Sequence, residues 1–261
     1  MITSTPVSSF RLGRQRLDLR FRTARLAART WVTPAYVRVR LEGTELIGFD
    51  SPGSDDHIRV FFPATAPASM EELRAAPNRE YTPLAWDADG GWLELEFAIH
   101  GGGVAASWAA EAPIGAVAGV GGPRGSMLIE GRPDGWLLAG DETAVPAMRR
   151  FARTMDADAV GRILVEVADA EHELPIEAPA GVDVEQVHRG ARAAGSALAA
   201  RLDALGAEDR PAGDVFAFVG AEQSIVKPAR ALLQERWNLP AETFVAKGYW
   251  KRGESEYHAP H

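Results

Sequence analysis

Arg79, Tyr81 and Thr82 fall within the single stretch Arg79-Glu80-Tyr81-Thr82. In an extended chain Arg79 and Tyr81 share one face and Thr82 takes the other. Those types suit a planar redox ring carrying phosphates. Tyr81 lies against the ring or its ribityl chain, Thr82 hydrogen-bonds the reactive N5 of a flavin, and Arg79 pairs with phosphate through charge-assisted bonds. Taken alone, the stretch reads more simply as a strand-edge Tyr-Thr pair beside a surface Arg. His100-Gly101-Gly102-Gly103 comes next, opening onto Val104-Ala105-Ala106-Ser107-Trp108. Glycines let the backbone approach a ligand, and the free amides of a helix start favour phosphate. A plain glycine turn with a structural His100 fits equally. In Gly121-Gly122-Pro123-Arg124-Gly125-Ser126 a tight turn aims the Arg124 guanidinium and Ser126 can donate to a cofactor, or the turn merely leaves a sheet.

Two later motifs complete the series. Gly140-Asp141-Glu142-Thr143 follows a short apolar run. It has the types of a second nucleotide site, and also those of a helix cap. Gly248-Tyr249-Trp250-Lys251-Arg252-Gly253 is an aromatic and basic tail, or a buried aromatic pair closing a last strand. In this order the motifs suit electron movement from a pyridine nucleotide through a flavin to an anionic acceptor.

The elements that must position them change character along the chain. Leu17–Arg22, Val37–Leu41 and Trp92–Phe97 alternate with period two, and Ile58–Phe62 is a further strand closed by Pro63. Turn signals between them predict an antiparallel barrel, with 63–77 an excursion. Beyond a linker at Gly131–Gly135, strands at Trp136–Ala139, Arg162–Val167, Val215–Val219 and Phe244–Ala246 alternate with helices at Thr143–Met155, 193–205 and 222–237. That alternation predicts a doubly wound α/β domain. The expected division is 1–131 for the flavin barrel and 132–261 for the NAD(P)H domain, whose tail returns to the flavin. The cleft between them is the expected reaction site. The tail beyond Gly253 is expected to be mobile.

Composition narrows the chemistry. The 261 residues include no cysteine, which excludes disulfides, thiolate nucleophiles and cysteine-ligated clusters. The six histidines never fall at the helical spacing of a zinc motif, so no metal site is expected. A net charge of −8 argues against nucleic-acid binding. No apolar run approaches the ~20 residues that span a bilayer, and the first residues lack a signal-peptide pattern; no membrane partner and a cytoplasmic location are expected. Nine arginines stand against one acid in residues 11–40, either a solvated face of early strands or a positive rim that steers an anion.

The chain resembles the siderophore-interacting protein family, FAD-dependent ferric-siderophore reductases related to ferredoxin–NADP reductases. The resemblance covers nearly the whole chain. It rests on Asp56-His57-Ile58-Arg59, Arg79-x-Tyr81-Thr82, His100-Gly101 with Trp108-Ala109, Gly122-Pro123-Arg124-Gly125-Ser126, Gly140-Asp141-Glu142-Thr143-Ala144-Val145-Pro146-Ala147 and Gly248–Gly253. It implies FAD at Arg79, Tyr81 and Thr82, with His100, Gly103, Ala105 and Ala106 around the phosphates and Trp250 near the flavin. Gly140, Asp141, Glu142 and Thr143 would meet NADPH or NADH. Arg59, Arg124 and Lys251 or Arg252 would line a basic pocket for the ferric siderophore. NAD(P)H reduces the flavin, which reduces iron(III) to iron(II), so no protein nucleophile or general acid is assigned. The sequence departs from the family pattern at Leu84, where Arg is frequent, at Val104, where Pro is common, and in a glycine loop one residue shorter. These departures bear on phosphate contact and flavin affinity and leave the ring seat in place. Arg189 and Arg192 are the candidates for a nucleotide 2′-phosphate. Alternatives are a general NAD(P)H:flavin or ferredoxin-type oxidoreductase and a non-catalytic ferric-siderophore binder; a ferredoxin is an alternative donor. A monomer is expected, since no long apolar stripe marks the surface.

Overall fold

A computed structural model describes residues 8–100, 102–254 and 257. Its first half is built from β1 (Phe10–Arg16), β2 (Phe21–Thr33), β3 (Tyr36–Glu42), β4 (Ile58–Phe61), β5 (Asn78–Tyr81), β6 (Ala85–Asp87), β7 (Trp92–Ala98), β8 (Val117–Gly121) and β9 (Gly125–Gly131), with α1 (Met70–Ala75) and α2 (Val104–Glu111) in the connections. Seven strands form one antiparallel sheet in the order β5-β4-β8-β2-β3-β7-β6, and β1 pairs with β9 as a separate ribbon. The expected barrel is thus an antiparallel sheet whose edge strands, β5 and β6, are not paired with each other among the described residues. Alternate residues of its strands (Val37, Val39 and Leu41; Leu93, Leu95 and Phe97) are buried in one apolar core with Leu26, Phe49, Phe62 and Trp108.

The second half holds β10 (Gly135–Asp141), α3 (Val145–Thr154), β11 (Val160–Val167), β12 (Gly181–His188), α4 (Ser196–Asp203), β13 (Val215–Glu222), α5 (Val226–Arg230) and β14 (Phe244–Trp250). All five strands pair in parallel, in the order β12-β11-β10-β13-β14. The sheet is apolar on both faces, as doubly covered parallel sheets are. Trp136, Leu138, Phe216 and Phe218 meet α3 on one side. Leu137, Ala139, Ala217 and Val219 meet α4 and α5 on the other. The strand order reverses between β10 and β13, so the crevice beyond their carboxyl ends is the natural ligand position.

Three elements differ from expectation. Leu17–Arg20 connects β1 to β2, because Leu17 N–H is taken by the Arg124 carbonyl rather than by a neighbouring strand. β12 is absent from the predicted strands; it is an edge strand whose exposed face carries Asp183 and Glu185, which dilutes its apolar signal. The helix expected over 222–237 starts at Val226, and residues Ala231–Arg236 run on as a π-helical segment.

Candidate functional site

On the antiparallel side, β5 delivers Arg79 and Tyr81. The Tyr81 ring is half-buried, 4.2 Å from Phe97 and 6.3 Å from Phe62 between centroids, and burial pushes its hydroxyl pKa up. Arg79 Nη1 donates to the Asn78 carbonyl at 2.6 Å. Thr82 is buried, with its hydroxyl close to that of Tyr249 on β14. Further along, β7 runs into His100 and the glycine loop, of which Gly101 lies outside the described residues. Gly103 begins α2, and no side chain caps that helix. Gly102 and Gly103 both have φ of +111°, and a Cβ at either would meet no atom within 4 Å. Glycine is thus required there by backbone conformation, and both glycines border open space at the start of α2. Ser126 does not turn outward; its Oγ donates to Asp56 at 2.6 Å.

On the parallel side, Gly140 is fixed by packing. A Cβ there would stand 2.6 Å from Ala144 Cβ and 2.7 Å from the Gly220 carbonyl. Asp141 has no exposed surface. Its Oδ1 accepts from Thr143 N and Oγ1, and its Oδ2 from Glu222 N and Trp250 Nε1. Neither Asp141 nor Thr143 caps α3, whose N-cap is Ala144. Glu142 pairs with Arg189 at 2.5 Å, and its carbonyl accepts from Tyr36 Oη. Burial and the neighbouring Asp141 push the Glu142 pKa up, against the pull of Arg189. With Arg192 donating to the carbonyls of His188 and Arg189, both expected 2′-phosphate candidates already have protein partners. A groove of about 520 Å³ opens nearby, lined by Ala194, Ser196, Glu222, Ser224, Lys227 and Arg252 among others. The Lys227 side chain is exposed there and makes no ion pair among the described residues.

The two sheets meet through side chains from both. Trp250, at the end of β14, stacks on His100 with ring centres 6.2 Å apart and planes 23° apart. Lys247 Nζ on β14 lies 2.8 Å from Asp55 Oδ2 and 5.3 Å from the Tyr249 ring centre. Burial works to lower the Lys247 pKa, but Tyr249 and Asp55 outweigh it and hold the ammonium charged; burial pushes Tyr249 up to about 12. From α3, Arg149 reaches Glu96 at 2.6 Å, Arg150 donates to the Ser51 and Pro83 carbonyls, and Arg153 donates to the Leu84 carbonyl. Sequence reasoning missed this set, although arginines at 149, 150 and 153 interleaved with Met148 and Phe151 mark a helix with one apolar and one cationic side.

Models of two linked families match almost end to end. The siderophore-interacting FAD-binding domain covers residues 25–127 and the siderophore-interacting protein model covers 133–253. The ferric vibriobactin reductase ViuB of Vibrio cholerae serotype O1 is 32% identical over 245 residues, which span 87% of this chain and 89% of that protein. The chain belongs to the siderophore-interacting protein family. The NADPH-dependent ferric-chelate reductase of Escherichia coli is also 32% identical, over 91% of this chain and 95% of that protein. Among solved structures, a siderophore utilization protein from T. fusca superposes with a TM-score of 0.84 at 32% identity, covering 95% and 98% of the two chains.

The residues present fit the FAD that this family's first domain binds. An uncapped helix start beside open space suits a pyrophosphate, and Tyr81, His100 and Trp250 supply aromatic surface at the same junction. At the first departure from the family pattern, the Leu84 side chain is buried, so no cation extends from that position; at the second, Val104 starts α2 without disturbing it. The four basic residues expected around a siderophore fall into two groups. Arg59 and Arg124 are exposed at one end of the antiparallel sheet, where Arg59 pairs with Glu80 at 3.4 Å. Arg16 and Arg20 join them, since Arg16 is paired with Gly125 and the Arg20 carbonyl accepts from Gly122. Lys251 is instead held by Glu254, and Arg252 turns to the groove at the Ala194 carbonyl.

Proposed function

We propose that this protein is an FAD-containing, NADPH-dependent reductase of ferric siderophores that releases iron as iron(II). The observation that carries the reading is the stacking of Trp250, from the end of the parallel sheet, on His100, from the antiparallel sheet. It brings the strand ends where a pyridine nucleotide docks to the flank of the flavin seat. Residues 1–131 would hold FAD and 132–261 the nucleotide, with the last strand returning to the flavin. Bound FAD supplies the exchange between two-electron and one-electron chemistry, which the side chains of a cysteine-free protein do not supply.

The protein's own residues position and screen. The first amides of α2, with Gly103, Ala105 and Ala106, hold the pyrophosphate, and Arg79 adds a cation. Tyr81 provides a flat contact on one side of the junction and Trp250 on the other. Thr82, buried beside Tyr249, presents its hydroxyl toward N5. The nucleotide lies beyond β10 and β13, with Glu142 and Thr143 at one side and Lys227 and Arg252 in the adjoining groove. Arg16, Arg20, Arg59 and Arg124 form a cationic rim that draws an anionic chelate in and orients it. The soluble, cytoplasmic monomer implied by this reading takes electrons from NADPH directly; a ferredoxin donor is the less favoured arrangement because Lys227 in the groove suits a phosphate.

The test is direct. FAD-loaded protein should be yellow, bleach with NADPH without air, and reduce a ferric siderophore as read by a chromogenic ferrous chelator. A protein that takes up no FAD, or that bleaches without forming ferrous iron, would overturn the proposal.

A further inference from the structure

Asp141 belongs to the loop expected to meet the nucleotide, yet its side chain is fully buried and faces protein on every side. An ionised carboxylate only accepts hydrogen bonds, and has about four lone-pair positions to do so. In Asp141 these are met by Thr143 N at 3.0 Å, Thr143 Oγ1 at 2.5 Å, Glu222 N at 3.0 Å and Trp250 Nε1 at 2.8 Å. Nothing is left to offer a ligand. The donors come from three places: the turn after β10, the end of β13 and the end of β14.

Local geometry makes the last of these consequential. β13 and β14 lose register at Ala221 and Glu222, so that Ala221 faces Gly248 and Glu222 faces Trp250. One additional residue in β14 bends the strand and re-aims the side chains beyond it. A strand end released in this way does not fix an indole by backbone pairing alone. Trp250 is half-buried, and its ring contact is His100 on the other sheet. Its one N–H goes to Asp141.

We propose that Asp141 is a positioning residue that fixes the plane of the Trp250 indole at the junction of the two sheets. Asp141 then acts on electron transfer through that indole rather than by touching the nucleotide. This rests on the reading that the flavin binds at the junction.

The experiment compares wild-type protein with Asp141→Ala and Trp250→Phe, each in flavin-free and FAD-loaded form. The Trp250 indole N–H resonance is assigned by its loss in Trp250→Phe. In wild type it should exchange slowly with solvent; in Asp141→Ala exchange should accelerate about tenfold, the factor that goes with one lost hydrogen bond. In the loaded proteins an indole held near the flavin quenches its emission, so both variants should brighten by the same factor. An unprotected Trp250 resonance in wild type overturns the proposal without any variant, so it stays testable if Asp141→Ala fails to fold. Asp141→Ala that weakens NADPH binding while leaving indole exchange and flavin emission at wild-type values also overturns it, by returning Asp141 to the nucleotide. Absence of flavin from the loaded wild type sinks the reductase reading and the link to electron transfer, whereas the indole exchange separately decides whether Asp141 holds Trp250.

Discussion

Asp56 illustrates what a single buried carboxylate does in the antiparallel half. It accepts from Ser51 Oγ at 3.1 Å, Gly53 N at 3.0 Å and Ser126 Oγ at 2.6 Å. Burial raises its pKa, and these bonds and the nearby Arg150 recover only part of the shift. A carboxylate with a raised folded pKa binds its proton more tightly when folded than when unfolded. Its contribution to stability is therefore full below the ordinary aspartate value of about 3.9 and is lost as pH rises through the raised value. Replacing Asp56 by Asn removes that titration, so its destabilisation in urea melts should be largest near pH 4 and shrink toward neutrality. Gly140 is a second residue-scale case. Its motif membership was legible in the sequence and its reason was not, since the Ala144 and Gly220 contacts that exclude a Cβ come from other elements. Gly140→Ala should cost about 1–3 kcal/mol by overpacking, read as a lower denaturation midpoint. Lys227 carried no motif at all; only the groove singles it out. Lys227→Glu should raise the KM for NADPH more than that for NADH, which lacks the 2′-phosphate, and equal changes would remove Lys227 from the phosphate site.

Among the elements, α3 does most to set how the two sheets sit. Its arginines at 149, 150 and 153 all bond to the antiparallel half, while Met148 and Phe151 pack on the parallel sheet. Arg150 is buried, its guanidinium 5.0 Å from the Trp86 ring centre, and desolvation lowers its pKa. Arg150→Ala should strand the Ser51 and Pro83 carbonyls, at a cost of about 1–3 kcal/mol. Differential melting should show the loss, and Arg150→Lys should recover part of it at most, because an ammonium cannot reproduce the fork. The helix itself was legible from its apolar spacing. Its partners were not, because Ser51, Pro83, Leu84 and Glu96 are 53–99 residues away along the chain. Strands buried on alternate faces, such as β3 and β7, were equally legible. The stretch Leu17–Arg22 carries the same alternation, but its first residues are bound to the Arg124 loop, a pairing that periodicity does not encode.

At the scale of the whole molecule, charge is unevenly spread. The chain carries a net −8, yet the end of the antiparallel sheet near Gly122 gathers Arg16, Arg20, Arg59 and Arg124. Most of the early arginines have structural work: Arg11 pairs with Glu130, Arg38 with Glu96 and Arg40 with Glu94, while Arg22, Arg25 and Arg29 donate to carbonyls. Arg14, Arg16 and Arg20 form no ion pair among the described residues. A cationic rim on an acidic protein attracts an anion mainly over distances comparable with the Debye length, which shrinks from about 10 Å at 0.1 M salt to about 3 Å at 1 M. kcat/KM for an anionic ferric chelate should therefore fall steeply with ionic strength, and that for a neutral chelate should change little. Arg124→Glu should lower kcat/KM for the anionic chelate and flatten its salt dependence, with kcat less affected than KM because the rim steers rather than reacts. Identical salt slopes for the two chelates would assign these arginines to solvation and leave substrate capture to some other surface.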